Sequence, residues 1–149
     1  MRGGPRVFVG ALAVASLTLA ACRQAPPAPH DGEAPSHIEH IDGTDLIRVT
    51  LTAKAVERID LQTVEVFERM MPRSSTPSTC VPYSALIYDA EGGTWVYTSD
   101  EARSFVREEV VVDYIEGDVA VLASGPAVGT IVASVGVAEL YGTEFEVGH

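Results

Sequence analysis

Cysteine is nearly absent from this chain: 149 residues carry two, Cys22 and Cys80. That excludes the multi-bridge framework by which small secreted domains are stapled together. Lysine is rarer still, with Lys54 alone among ten basic residues that face 21 Asp and Glu, a net charge of −11. Such a balance repels nucleic acid and anionic surfaces, and no polybasic patch is available to offset it. Heptad runs are missing, so no coiled-coil hairpin is expected. G-x-S-x-G, C-x-x-C, H-E-x-x-H and a G-x-G-type phosphate cradle are missing too, and the chain is read as non-enzymatic. Cys80 has no base beside it in sequence and reads as a buried or edge thiol.

What is present begins with a leader. Arg2 and Arg6 precede the apolar run Val7 to Leu19, thirteen residues long. At about 1.5 Å per residue this is too short for a hydrocarbon core about 30 Å thick. It reads as a signal peptide over residues 1–21. Leu19-Ala20-Ala21-Cys22 resembles the bacterial lipobox. The resemblance implies cleavage before Cys22, lipid on its sulfur and new amino group, and anchorage in the cell envelope. Several acyl chains exceed what stable membrane attachment requires. Without Arg2 and Arg6 the mature chain has eight basic residues against 21 acidic ones, a net −13.

Residues 22–45 carry Pro26, Pro27, Pro29 and Pro35 among Gly, Ala and acids, with no apolar periodicity. A segment of this kind buries too little to offset its chain entropy, and it reads as a disordered tether. It contains His30, His37 and His40 beside several carboxylates, a donor set that suits Zn²⁺ or Cu²⁺. The H-x₆-H-x₂-H spacing matches no defined structural site, and a solvated acidic linker is the simpler reading. Met70-Met71 is a poor pair for one metal, because neighbours on a strand point to opposite faces.

From residue 46 the pattern becomes β. "LIRVTL" (46–51) alternates, "TAKAVERI" (52–59) reads as one short helix with Thr52 as its cap, and "LQTVEVF" (61–67) returns to strand. "ERMMPRSSTPST" (68–79) reads as a loop. "SALIY" (84–88), "TWVYT" (94–98), "SFVREEVVVDY" (104–114), "DVAVLA" (118–123) and "GTIVAS" (129–134) are rich in Val, Ile, Tyr and Thr and separated by turn signals. The expected fold class is all-β with one short helix. The expected architecture is a small antiparallel barrel or sandwich over 46–149, its parts 46–67 and 81–140 pairing across the short loop 68–80. Trp95 and Tyr97 share one strand face by period two and are read as core or interface residues.

Val81-Pro82, Ala85-Leu86, Trp95-Val96-Tyr97, Phe105-Val106-Arg107, Gly117-Asp118, Ser124-Gly125, Gly129, Val132 and Gly136 before Leu140 make residues 81–140 resemble a known family. It is the periplasmic adaptor subunits, or membrane fusion proteins, of resistance-nodulation-division efflux pumps, in the C-terminal part. "VTLTAKAVERIDLQTVEV" (49–66) is similar to the strand–helix–strand that opens the same membrane-proximal domain. This chain departs from the family at Asp60, often Gly there, at Pro126, often Leu, and at Thr130, often Asp. Full adaptors insert a β-barrel domain, a lipoyl domain and a long helical hairpin between the two segments. Here about a dozen residues stand in their place. The resemblance implies a truncated adaptor, able to meet an inner-membrane transporter and lacking the arm that reaches the outer channel. Two functions follow as expectations. One is a lipid-anchored interaction module beside such a transporter, with no cofactor. The other is an envelope metal-binding lipoprotein using His30, His37 and His40.

Overall fold

The computed structural model describes residues 34–145 and the isolated Gly4. The signal segment, Cys22, His30 and His149 lie outside the described residues. The described chain begins with β1 (Ser36–His40) and β2 (Ile47–Leu51), followed by α1 (Ala53–Arg58) and β3 (Gln62–Glu65). Next come β4 (Phe67–Met70), β5 (Pro77–Pro82), a single 3₁₀ turn (Tyr83–Ala85), β6 (Ile87–Tyr88) and β7 (Thr94–Glu101). It ends with β8 (Ser104–Glu109), β9 (Val111–Glu116), β10 (Val119–Ser124), β11 (Ile131–Val135) and α2 (Val137–Glu144). The fold is all-β, and every strand pair is antiparallel.

One sheet runs β1-β2-β8-β7-β11-β3, with β6 also paired to β7; the second runs β4-β5-β10-β9. The segments 46–67 and 81–140 are interleaved in the first sheet, where β2 lies on β8 and β3 on β11. Neither sheet closes on itself, so the arrangement is a sandwich with two shared corners. At each corner one strand leaves the first sheet and enters the second, and a valine makes the turn. Val66, between β3 and β4, donates its N–H to Thr130 O at 2.8 Å and accepts from Gly129 N at 2.8 Å. Val110, between β8 and β9, donates to Thr94 O at 2.9 Å. Both valines are buried in the core between the sheets. Strands that switch sheets through such bends are how sandwiches build corners.

The corners correct two readings of the sequence. Residues 104–114 are not one strand: they are β8 and β9, split where Val110 turns inward. Residues 68–80 are not a loop: β4 and β5 form a hairpin, registered from Phe67↔Cys80 to Met70↔Pro77. Polar residues hid it because β4 is an edge strand, with Glu68, Arg69 and Met70 all exposed. Pro77 is tolerated as the first residue of its strand. The proposed tether also ends earlier than residue 45. Ser36–His40 pairs along its length with β2, from Ser36↔Leu51 to His40↔Ile47.

Sheet burial explains the valine-rich strands. Val96 and Val132 face the second sheet with Val81, Ala120 and Leu122. Their neighbours Tyr97 and Ala133 face the other way, onto Val49, Phe105, Ala55 of α1, and Val137 and Leu140 of α2. The first sheet is therefore covered on both faces, and β7 and β11 alternate core with core rather than core with solvent. β10 does the same in the second sheet: Val119 and Val121 pack with Cys80 and Met71, on the side away from Ala120 and Leu122. Each aliphatic side chain buried this way is worth about 1.5–3 kcal/mol relative to exposure.

α1 is the short helix read from sequence. Thr52 Oγ1 accepts from Ala55 N at 3.2 Å, and Ala55 faces the core. Its C-terminus is a Schellman closure. Leu61 N donates to Val56 O at 3.0 Å and Asp60 N to Glu57 O at 3.3 Å, with Asp60 at φ +49°. The position after the cap must be left-handed for these two bonds to form, which is why glycine is usual there. α2 is a second helix that the sequence pattern did not suggest.

Candidate functional site

Of the histidine candidates, the two within the described residues do not converge. His37 and His40 sit three residues apart on β1, opposite Thr50 and Ile47. Side chains alternate along a strand, so the two imidazoles project from opposite faces; both residues are exposed. Among the described residues no three His, Cys, Asp or Glu side chains are grouped to hold a metal. Cys80 is wholly buried in the second sheet, and its thiol donates to Ser78 O at 3.2 Å. Burial pushes that thiol above its ordinary range, which keeps it protonated and unreactive.

Trp95 and Tyr97 do share one face of β7, and that face meets α2. Tyr97 has no exposed surface, so it is a core residue and not an interface residue. Trp95 is half-buried. Around them lies a connected set of polar groups. Tyr97 Oη donates to Glu144 Oε2 at 2.5 Å, and Arg107 Nε donates to Glu144 Oε1 at 2.8 Å. Arg107 reaches this place because it is the cross-strand partner of Tyr97. Its guanidinium lies 4.5 Å from the Trp95 ring centre and 4.9 Å from that of Phe145. Trp95 Nε1 donates in turn to Asp89 Oδ2 at 2.7 Å. Asp89 Oδ1 receives Gly93 N at 2.6 Å and Glu91 N at 3.1 Å, which closes the β6–β7 turn.

The electrostatics follow from burial. The Glu144 side chain is fully enclosed and that of Arg107 is 10% exposed. Two charges taken out of water cost several kcal/mol each, and only tight, hydrogen-bonded pairing offsets that cost. Both Glu144 oxygens accept a hydrogen bond, and the Arg107 guanidinium lies over the Trp95 and Phe145 rings. The Tyr97 hydroxyl is held far above its ordinary range, first by burial and then by its bond to Glu144. The Asp89 carboxyl is held below the usual aspartate range, first by the Trp95 indole N–H and then by the backbone N–H groups of the turn. These bonds clamp α2 onto the sheet, Glu144 being held at once by Tyr97 of β7 and Arg107 of β8.

Arg107 and Glu144 were not singled out from the sequence. Arg107 carried a usable signal. It alternates with Phe105 on β8, so a buried Phe105 places Arg107 inward, and an inward arginine needs a carboxylate. Nothing in the sequence named which of the 21 acids answers it.

The outer surface leaves Tyr83, Tyr88, Val111, Ile115 and Phe145 exposed. Among the described residues no helix is long and apolar enough to cross a membrane. Comparison with models of protein families and with curated proteins returns no match.

Proposed function

We propose that this chain is a lipid-anchored envelope protein whose β domain is a non-catalytic interaction module, a truncated counterpart of an efflux-pump periplasmic adaptor. Its partner is an inner-membrane transporter of the resistance-nodulation-division class. The observation that carries the reading is the join between the two adaptor-like segments. β2 and β3, on either side of α1, interlock in one sheet with β8 and β11 of residues 81–140. The site where an adaptor sends out its arm is closed instead by the β4–β5 hairpin, whose turn spans residues 71–76. A domain so closed needs no arm to complete its core. Asp60 lends support, since its left-handed backbone occupies a position where the adaptors often carry glycine. Anchorage rests on Leu19-Ala20-Ala21-Cys22.

Two measurements test the reading separately. Replacing Cys22 by Ser releases the protein from membranes washed with high salt; retention in the pellet refutes lipid anchorage. Chemical cross-linking in native membranes, followed by affinity capture of the full chain, recovers a polytopic transporter subunit. Capture of soluble envelope proteins alone refutes the transporter assignment.

A further inference from the structure

An open groove of about 750 Å³ lies where the start of β1, the end of β2, the start of α1 and the β7–β8 turn come together. Ser36, His37, Thr50, Thr52, Lys54 and Arg103 line it, and among the described residues no carboxylate does. In a chain with 21 Asp and Glu and ten Lys and Arg, that is a local reversal of charge. Lys54, the chain's one lysine, and Arg103 both face it. Among the described residues neither they nor His37 enter an ion pair.

Arg103 is held in an unusual backbone state. Its φ is +66°, in the left-handed region that favours glycine, and its carbonyl accepts Leu51 N at 2.9 Å. An arginine at such a place costs backbone energy that glycine would avoid. The rim is tied down on the other side, where Thr52 N donates to Pro35 O at 2.9 Å. The cations are thus mounted on hydrogen-bonded backbone, around a space as large as many small-molecule sites.

We propose that this groove binds a phosphate group carried by an organic molecule, a phosphomonoester or phosphodiester. Lys54 supplies a point charge and Arg103 a forked donor that matches two phosphate oxygens. The Ser36 hydroxyl, which makes no other hydrogen bond among the described residues, adds a neutral donor. The groove exceeds what one phosphate fills, and the rest of its wall is small and apolar, so the organic part is accommodated as well. A soluble phosphate ester and a phospholipid headgroup share this chemistry.

The test uses the mature chain, residues 22–149, with Cys22→Ser, so that neither acyl chains nor the apolar leader dominates membrane association. Radiolabelled inorganic phosphate is titrated by equilibrium dialysis. Separately, flotation is measured with phosphatidylcholine vesicles, with and without phosphatidylglycerol. Saturable phosphate binding that weakens about tenfold or more in Arg103→Gly and in Lys54→Gln, and is unchanged in Arg73→Gln, supports a soluble ligand. Flotation that requires phosphatidylglycerol and fails in the same two variants supports the headgroup. Glycine suits the Arg103 backbone, so that variant keeps its melting temperature and a loss of binding is not a loss of fold. The proposal is overturned if neither probe binds. It is equally overturned if the groove variants bind like the parent, or if Arg73→Gln weakens binding as much as they do.

Discussion

Truncating Glu144 to alanine removes a carboxylate that two buried groups depend on, and the cost can be worked out from the contacts. Arg107 keeps its charge but loses its 2.8 Å acceptor, while its side chain is only 10% exposed. Tyr97 loses its 2.5 Å acceptor in a site with no access to water. Breaking a buried pair on one side costs about 3–5 kcal/mol, because the remaining ion stays desolvated. Domains of this size are stable by about 5–15 kcal/mol, so the loss takes a large share. At about 4 °C per kcal/mol the melting temperature falls by roughly 12–20 °C. The assay is urea unfolding of a chain beginning at residue 23, followed by circular dichroism and by the fluorescence of Trp95, the one tryptophan. Trp95 touches Arg107, so the second probe reports the clamp directly. Replacing both charges, Arg107→Met with Glu144→Leu, recovers much of that loss, since an apolar pair of similar volume needs no desolvation, and stays about 1–3 kcal/mol below the parent because Tyr97 Oη has no acceptor. The double-mutant cycle, closed with Arg107→Met and Glu144→Leu as the single variants, then gives a coupling of about 3 kcal/mol or more. A Glu144→Ala cost below about 1 kcal/mol, or a double variant no better than the single, refutes the clamp.

Three further outcomes follow from the same structure. Asp89 is more acidic folded than unfolded, so its contribution is present above the ordinary aspartate pKa near 3.9 and is lost as pH falls through the lowered folded value. Asp89→Asn therefore flattens the acid side of the stability–pH curve; a curve parallel to the parent's counts against the Trp95–Asp89 bond. Gly136 begins α2 at φ +79°, and a Cβ there would stand 3.0 Å from Leu61 Cδ1 and 3.3 Å from Ile59 O. Gly136→Ala costs at least about 1–2 kcal/mol in urea unfolding, whereas an unchanged midpoint shows the turn adapting freely. A chain cut to begin at residue 46 loses β1 and bares the edge of β2. It unfolds at lower urea than one beginning at residue 34, and equal midpoints show β1 to be energetically idle.

The sequence by itself determined the β class, because Val, Ile, Tyr and Thr recur in short runs between Gly- and Asp-bearing turns. It also determined α1, whose cap, Thr52, is a local hydrogen bond between residues three apart. Both depend on neighbours along the chain. Tertiary structure decided the rest. Residues 104–114 read as one strand because their valines are continuous; the ladder with β7 ends at the bond from Val110 N to Thr94 O, and only the pairing of β9 with β10 takes the chain into the second sheet. Residues 68–80 look like a loop because an edge strand shows no buried alternation, and pairing with β5 and then β10 makes them a hairpin. α2, "VAELYGTE", contains Gly142 and Thr143, weak helix formers, and is held by Val137 and Leu140 against the sheet and by Glu144 on Arg107. The groove with Lys54 and Arg103 joins residues about fifty apart in sequence. Each of these rests on a contact between distant residues, and a contact of that kind has energy only after the chain has closed the loop between them.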